Sequence, residues 1–165
     1  MIRATLTRED VLAILDSVKD PEIPVVSVVE LGIVRGVEVD AERVSVTITP
    51  TYSGCPAMRE IQGDIARALD EHGITSHEIR TTYSPAWTTD WITRDGREKL
   101  ESYGIAPPVR GASTELVTLE RRRSVACPYC KSLATERKSE FGSTACKAIW
   151  FCRDCRQPFE ELKPL

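Results

Sequence analysis

The sequence predicts an α+β fold, a small sandwich of two or three helices on a three-stranded sheet, followed by a separate β-hairpin module. Three features lead there. Hydrophobic periodicity over the first hundred residues runs helix, strand, strand, helix, strand, the order of a helix layer on a sheet. Two CxxC pairs stand in the last forty residues, and five of the six cysteines lie beyond residue 125. Residues 104–121 between them contain Gly104, Pro107, Pro108, Gly111 and Ser113, a linker composition. The chain is therefore read as a first domain over 1–106, a linker over 107–122 and a second domain over 123–165.

The first helix belongs to residues 7–19 (TREDVLAILDSVK). Thr7 with Asp10 three places on is an acidic variant of the capping box, and Val11, Leu12, Leu15 and Val18 recur at helical spacing. Pro21 stops it, because the residue before a proline is pushed out of the helical region. DPEIPVVSVVELGIV then reads as an ordered loop entering a short apolar element. Val34–Val39 and Arg43–Thr49 make a hairpin across a polar Asp40-Ala41-Glu42 turn. Its second strand alternates Val44, Val46 and Ile48 with Ser45, Thr47 and Thr49, a half-buried pattern. The loop TYSGCP (51–56) leads into a helix over Ala57–His72, with Met58, Ile61, Ile65 and Leu69 as its buried stripe and Gly73 as its stop. A third strand spans about His77–Tyr83. Thr93–Tyr103 makes a short helix with Leu100 and Tyr103 facing inward.

At 165 residues, 41% hydrophobic and 28% charged, the composition is that of a globular protein. No apolar run approaches the roughly 18–20 residues that cross a bilayer. The start, MIRATLTRED, lacks the apolar core of a signal peptide. The expectation is a cytoplasmic protein with no membrane partner. Charge divides as the cysteines do: residues 121–165 hold ten Lys/Arg against five Asp/Glu, or +5, and the whole chain's −3 leaves −8 for the first 120. An acidic domain joined to a basic one hints at different partners for each.

In a reducing compartment, clustered CxxC pairs read as metal ligands or redox centres rather than disulfides. Cys127/Cys130 and Cys152/Cys155 are separated by 21 residues. Each pair can turn two sulfurs toward one ion, and two such turns supply the four thiolates of a structural zinc site. A module of about 40 residues has too small a core to fold otherwise. A thioredoxin-like redox pair would need a βαβ context that is absent here. The ribbon form of CPYCKS and CRDCRQPF favours zinc, although thiolates by themselves do not separate zinc from iron. Cys146, six residues before Cys152, is either a small buried hydrophobe or an additional ligand.

Cys55 stands alone between a strand and a helix. Pro56 suits a first helical turn, so Cys55 is expected near the N-cap, where the partial positive charge lowers thiol pKa. Gly54 is expected to allow close backbone approach. On chemistry alone, an inert and a reactive cysteine are equally open. Trp87 and Trp91 read as core or interface aromatics, and His72 and His77 as surface residues rather than ligands. No Ser-His-Asp set, phosphate loop or dinucleotide fingerprint occurs, and no catalytic residue is singled out.

Asp20-Pro21-Glu22-Ile23-Pro24, the TxxGCP at 51–56 and the amphipathic helix after it resemble the iron–sulfur cluster assembly domain family, which includes SufT-like proteins. DPEIPVVSVVELGIV, TPTYSGCPAM, SPAWTTDWIT, GREKLESYGIAPP and the cysteine-rich tail resemble, over nearly the whole chain, the PaaD (PaaJ) family of the phenylacetyl-CoA epoxidase system. The resemblance implies a non-catalytic accessory or maturation role in a multicomponent ring-epoxidising monooxygenase, assisting iron–sulfur cluster assembly of its reductase. It puts Cys55 at the family's functional cysteine and Asp20, Pro21 and Glu22 at its acidic motif, with Thr51 and Gly54 beside the thiol. The implied cofactors are one structural zinc and a transient or bound iron–sulfur cluster. The implied partners are the oxygenase reductase, other epoxidase subunits and the cluster-assembly machinery, with a homodimer as a further assembly. Two alternatives stand beside this: a zinc ribbon that binds nucleic acid, on the strength of Arg121-Arg122-Arg123 and the tail's +5, and a thiol enzyme using Cys55 as nucleophile.

Overall fold

The computed structural model describes residues 6–40, 43–108 and 124–164. The chain divides into two compact units, Met1–Trp87 and Thr88–Leu165. The expected linker lies, from residue 109 on, outside the described residues, as do Ala41, Glu42 and the Arg121–Arg123 run.

In the first unit, α1 (Arg8–Asp16) begins where the sequence places it. The capping box closes both ways: Thr7 Oγ1 accepts from Asp10 N at 3.1 Å, and Asp10 Oδ2 accepts from Thr7 N at 2.9 Å. Val11 and Leu15 are buried on its inner face. β1 (Val34–Val39) and β2 (Val44–Ile48) pair antiparallel, with a bulge between Val34 and Gly36. A crossover through α2 (Met58–Glu71) returns the chain as β3 (His77–Thr81), parallel to β2. The order is β1-β2-β3, and α1 packs on β1 and α2 while α2 packs on β3.

Because β2 is the middle strand, it is buried more completely than its alternation suggests. Val44, Val46 and Ile48 are buried as expected, but so is Ser45. In α2, Ile61, Ile65 and Leu69 form the stripe with Ala68, and Met58 is only half-buried. Trp87 fills the core and donates its indole N–H to Leu31 O at 2.9 Å.

The second unit opens with a 3₁₀ turn (Thr89–Trp91) and α3 (Arg94–Ser102), whose N-cap Thr93 accepts from Gly96 N at 3.0 Å. Leu100 is buried, but Tyr103 is 54% exposed, contrary to expectation, because it is the C-cap residue just past the helix. A four-stranded sheet follows, ordered β4-β7-β6-β5, from β4 (Ile105–Ala106), β5 (Thr135–Ser139), β6 (Lys147–Cys152) and β7 (Pro158–Leu162). Linker composition sets the sequence boundary after 106, whereas packing groups α3 and β4 with the ribbon. The reason is that β4 pairs parallel with β7, Ile105 opposite Glu160 and Ala106 opposite Glu161, and α3 packs on β4. The helix sandwich therefore carries two helices, and the third belongs with the second sheet.

Candidate metal centre and thiol site

The ribbon brings Cys127, Cys130, Cys152 and Cys155 together, with all four sulfurs within 4.8 Å of one another. Cys127 and Cys155 sulfurs lie 3.6 Å apart, and those of Cys130 and Cys152 3.5 Å. Sulfurs at the corners of a tetrahedron with metal–sulfur bonds of about 2.3 Å stand roughly 3.8 Å apart, so the donor set fits one tetrahedral ion.

Each knuckle is built the same way. The residue after the second cysteine is left-handed without being glycine: Lys131 at φ 65° and Arg156 at φ 60°. That conformation turns the chain so that the next amide reaches back, Ser132 N–H to the Cys130 sulfur and Gln157 N–H to the Cys155 sulfur. The amides of Cys127 and Cys152 donate in turn to Ser132 O (2.9 Å) and Gln157 O (3.0 Å). Ser132 Oγ bonds Asp154 Oδ2 at 2.5 Å, tying one knuckle to the other.

Amide donors and crowding act oppositely on these thiols. Hydrogen bonds from the Cys155 and Asp154 amides bring Cys152 down to about 7. Cys155, despite the Gln157 amide, is pushed up to about 12 by burial and by the sulfurs of Cys130, Cys152 and Cys127. A divalent cation replaces those competing protons at once.

Cys146 does not join them. It sits just before β6, whose far end is Cys152, and six residues of strand at about 3.3 Å each put them some 20 Å apart. Its buried thiol lies 3.1 Å from Thr144 Oγ1. The additional-ligand reading is therefore corrected: strand geometry carries this cysteine to the opposite end of the sheet.

The first unit gathers the other candidates. Cys55 follows the carboxyl end of β2 and precedes α2 within the parallel β2-α2-β3 crossover, where open α/β sheets place their ligand sites. Asp20 and Glu22, over thirty residues away in sequence, come near enough for their charges to act on it. Thr51 hydrogen-bonds the thiol and the Ala57 amide donates to it. Burial is the largest influence and raises the Cys55 pKa; the Ala57 amide opposes it, and the Glu22 and Asp20 carboxylates raise it further. The expected lowering is thus reversed. Cys55 does lie near the N-cap Ala57, whose amide reaches it, but α2 starts at Met58, so Pro56 is outside the first helical turn.

Gly54 has φ 90°, and a Cβ there would meet nothing within 4 Å. It serves the left-handed turn rather than a close approach. Asp20 is buried, and its Oδ1 accepts from the amides of Glu22 (2.9 Å) and Ile23 (2.8 Å), so it builds the loop that presents Glu22.

Sequence reading passed over the clamp beneath that loop. Ser27 Oγ accepts from Glu30 N (2.9 Å) while Glu30 Oε2 accepts from Ser27 N (2.9 Å), a second capping box, both residues buried. The Ser27 hydroxyl also donates to Asp16 Oδ1 at 2.5 Å, fixing the loop to α1. The S-x-x-E spacing in SVVE was the available signal.

Comparison with known proteins agrees with this two-part layout. Residues 8–74 match the family described as iron–sulfur cluster assembly protein, and residues 111–163 the PaaD zinc beta ribbon domain. The chain is 44% identical, over 93% of its length and 91% of the relative's, to a putative subunit of the 1,2-phenylacetyl-CoA epoxidase of Escherichia coli. It is 35% identical to an Fe-S protein maturation auxiliary factor of Porphyromonas gingivalis, covering 57% of this chain and 90% of that one. A solved domain of unknown function (DUF59) from Bacillus anthracis superimposes with TM-score 0.53 at 28% identity, covering 56% of this chain and 89% of that one.

Proposed function

We propose, because this chain belongs to the PaaD family of the phenylacetyl-CoA epoxidase system, that it is a non-catalytic maturation component of a phenylacetyl-CoA ring-epoxidising monooxygenase. Its first unit would assist iron–sulfur cluster assembly on the oxygenase reductase. The observation that carries this reading is the meeting of Asp20, Glu22, Thr51 and Cys55 at the carboxyl end of β2.

The electrostatics suit a carrier better than a nucleophile. Carboxylates beside a partly buried thiol hold its proton on, which slows attack on an electrophile. An incoming iron cation reverses the sign: it is attracted by Glu22 and Asp20 and favours the thiolate. The cargo thus recruits its own ligand. A thiol enzyme would need the opposite arrangement, with a base or a cation resident beside the sulfur.

In the tail, Cys127, Cys130, Cys152 and Cys155 would hold one structural zinc, which supplies folding free energy to a module with a small core. The ribbon is then a docking module for the reductase, another epoxidase component or the cluster-assembly machinery, with a homodimer as a further assembly. The thiol-bearing part is then the first unit, Met1–Trp87, and the docking part is the ribbon with the α3 and β4 that pack on it. A nucleic-acid role draws little support from the described ribbon cations, because Arg153 and Lys138 pair with Glu136, and Arg137 with Glu140. No helix among the described residues is long and apolar enough to cross a membrane, and we place the protein in the cytoplasm.

The test is cluster occupancy of the oxygenase reductase isolated from cells carrying Cys55→Ser. Lowered occupancy, with this protein at its normal level and still holding its tail metal, is expected. Full occupancy together with normal growth on phenylacetate would sink the proposal.

A further inference from the structure

We propose that the four-thiol centre also works as a latch, so that metal loading sets the order of α3 and β4 as well as that of the ribbon. This rests on the reading that the centre holds a metal. α3 and β4 have little to hold themselves with: α3 is nine residues long, shorter than a helix that is stable alone, and buries only Gly96 and Leu100. β4 is two residues long.

Besides the pairing of β4 with β7, what fixes them comes from the first knuckle. Tyr129 lies between the ligands Cys127 and Cys130, and its hydroxyl covers Gly104 so closely that a Cβ there would stand 2.4 Å from the oxygen. Lys131, the left-handed residue directly after Cys130, bonds Pro128 O at 3.0 Å and reaches Glu101 of α3 with Nζ 2.6 Å from Oε1. The pairing is partly exposed and weak by itself, but its register depends on the turn that the metal closes.

Beneath them, Ala106 of β4 is buried in one core cluster with Cys127, Cys152, Trp150 and Phe159. Two of the four ligands are thus core residues for β4. With the ligands released, Tyr129 and Lys131 lose their fixed backbone, and Ala106 loses the wall it packs on. α3–β4 then opens with the knuckle.

Hydrogen exchange of the full chain tests this, comparing protein loaded with one equivalent of zinc against protein treated with a chelator. Amides of residues 94–106 should exchange faster on chelation, on the order of tenfold or more, while β1–β3 stay protected. In zinc-loaded protein, Tyr129→Ala and, on the surface, Glu101→Gln should each speed exchange of 94–106 while metal content stays at one. Unchanged protection of 94–106 on chelation, or in both loaded variants, overturns the latch. Failure of the chain to take up metal would instead overturn the reading of the four thiols, and the latch with it.

Discussion

Cys55 shows how one side chain's chemistry is set by residues remote in sequence. Its thiol lies above the ordinary cysteine value of 9.0 because of burial and the carboxylates of Glu22 and Asp20, against the pull of the Ala57 amide. In Glu22→Gln one like charge is gone, so the thiolate forms at lower pH. Alkylation near neutral pH should then run several-fold faster than in the native protein, with its rate midpoint moved to lower pH. An unchanged pH–rate curve would mean that the Glu22 charge does not act on the thiol. The native state holds this proton to higher pH than the unfolded chain does. The linked stability is therefore complete below that ordinary cysteine value and is lost as pH rises through the folded value. Asp20 differs in kind. Asp20→Ala leaves the Glu22 and Ile23 amides without their acceptor and should cost about 1–3 kcal/mol by urea unfolding, whereas Asp20→Asn keeps an oxygen there and should cost less.

Among the elements, α1 is defined by its cap and α2 by its stripe. Thr7→Ala removes the acceptor of the Asp10 amide and should lower stability by about 1 kcal/mol, read from the denaturant midpoint at unchanged slope. Ile65→Ala removes most of a fully buried side chain of α2, and a loss of about 2–5 kcal/mol is expected. Neither change touches the ribbon, so metal content should be unaltered in both. β6 shows a different dependence on place: its alternate residues serve separate tasks. Cys152 joins the four-thiol cluster at one end, and Trp150 donates to buried Glu161 at 2.8 Å along the way. At the start of the strand, Lys147 reaches Glu160 at 3.1 Å.

For the whole molecule, the two units draw on different sources of stability. The first has an apolar core running through Val11, Leu15, Val46, Ile48, Ile61, Ile65 and Leu69. The ribbon's core is smaller and counts Cys127 and Cys152, two of the four clustered thiols, among its members. Chelation should therefore unfold the ribbon selectively, removing stabilisation on the order of 10 kcal/mol. The environment of Trp150 should turn solvent-like, while Trp87 keeps its buried emission. Fluorescence of the Trp91→Phe/Trp150→Phe and Trp87→Phe/Trp91→Phe variants, each left with one of the chain's three tryptophans, separates the two signals. A single cooperative loss of both on chelation would contradict independent sources of stability.

Local rules written in consecutive residues were enough for much of this protein. The 3.6-residue stripe of α2, the Thr7–Asp10 box, the alternation of β2 and the two CxxC turns each depend on neighbours a few positions apart, so the sequence alone determined those elements and the four-cysteine set. Tertiary structure decided what depends on residues brought together from afar. It partly buried Cys55 and brought Glu22 and Asp20 near it, and so reversed the direction of its pKa. It sent Cys146 to the far end of β6, and it paired β4 with β7 and so moved α3 to the ribbon. Burial, coulombic proximity and strand register are properties of the folded arrangement, and no window along the chain contains them.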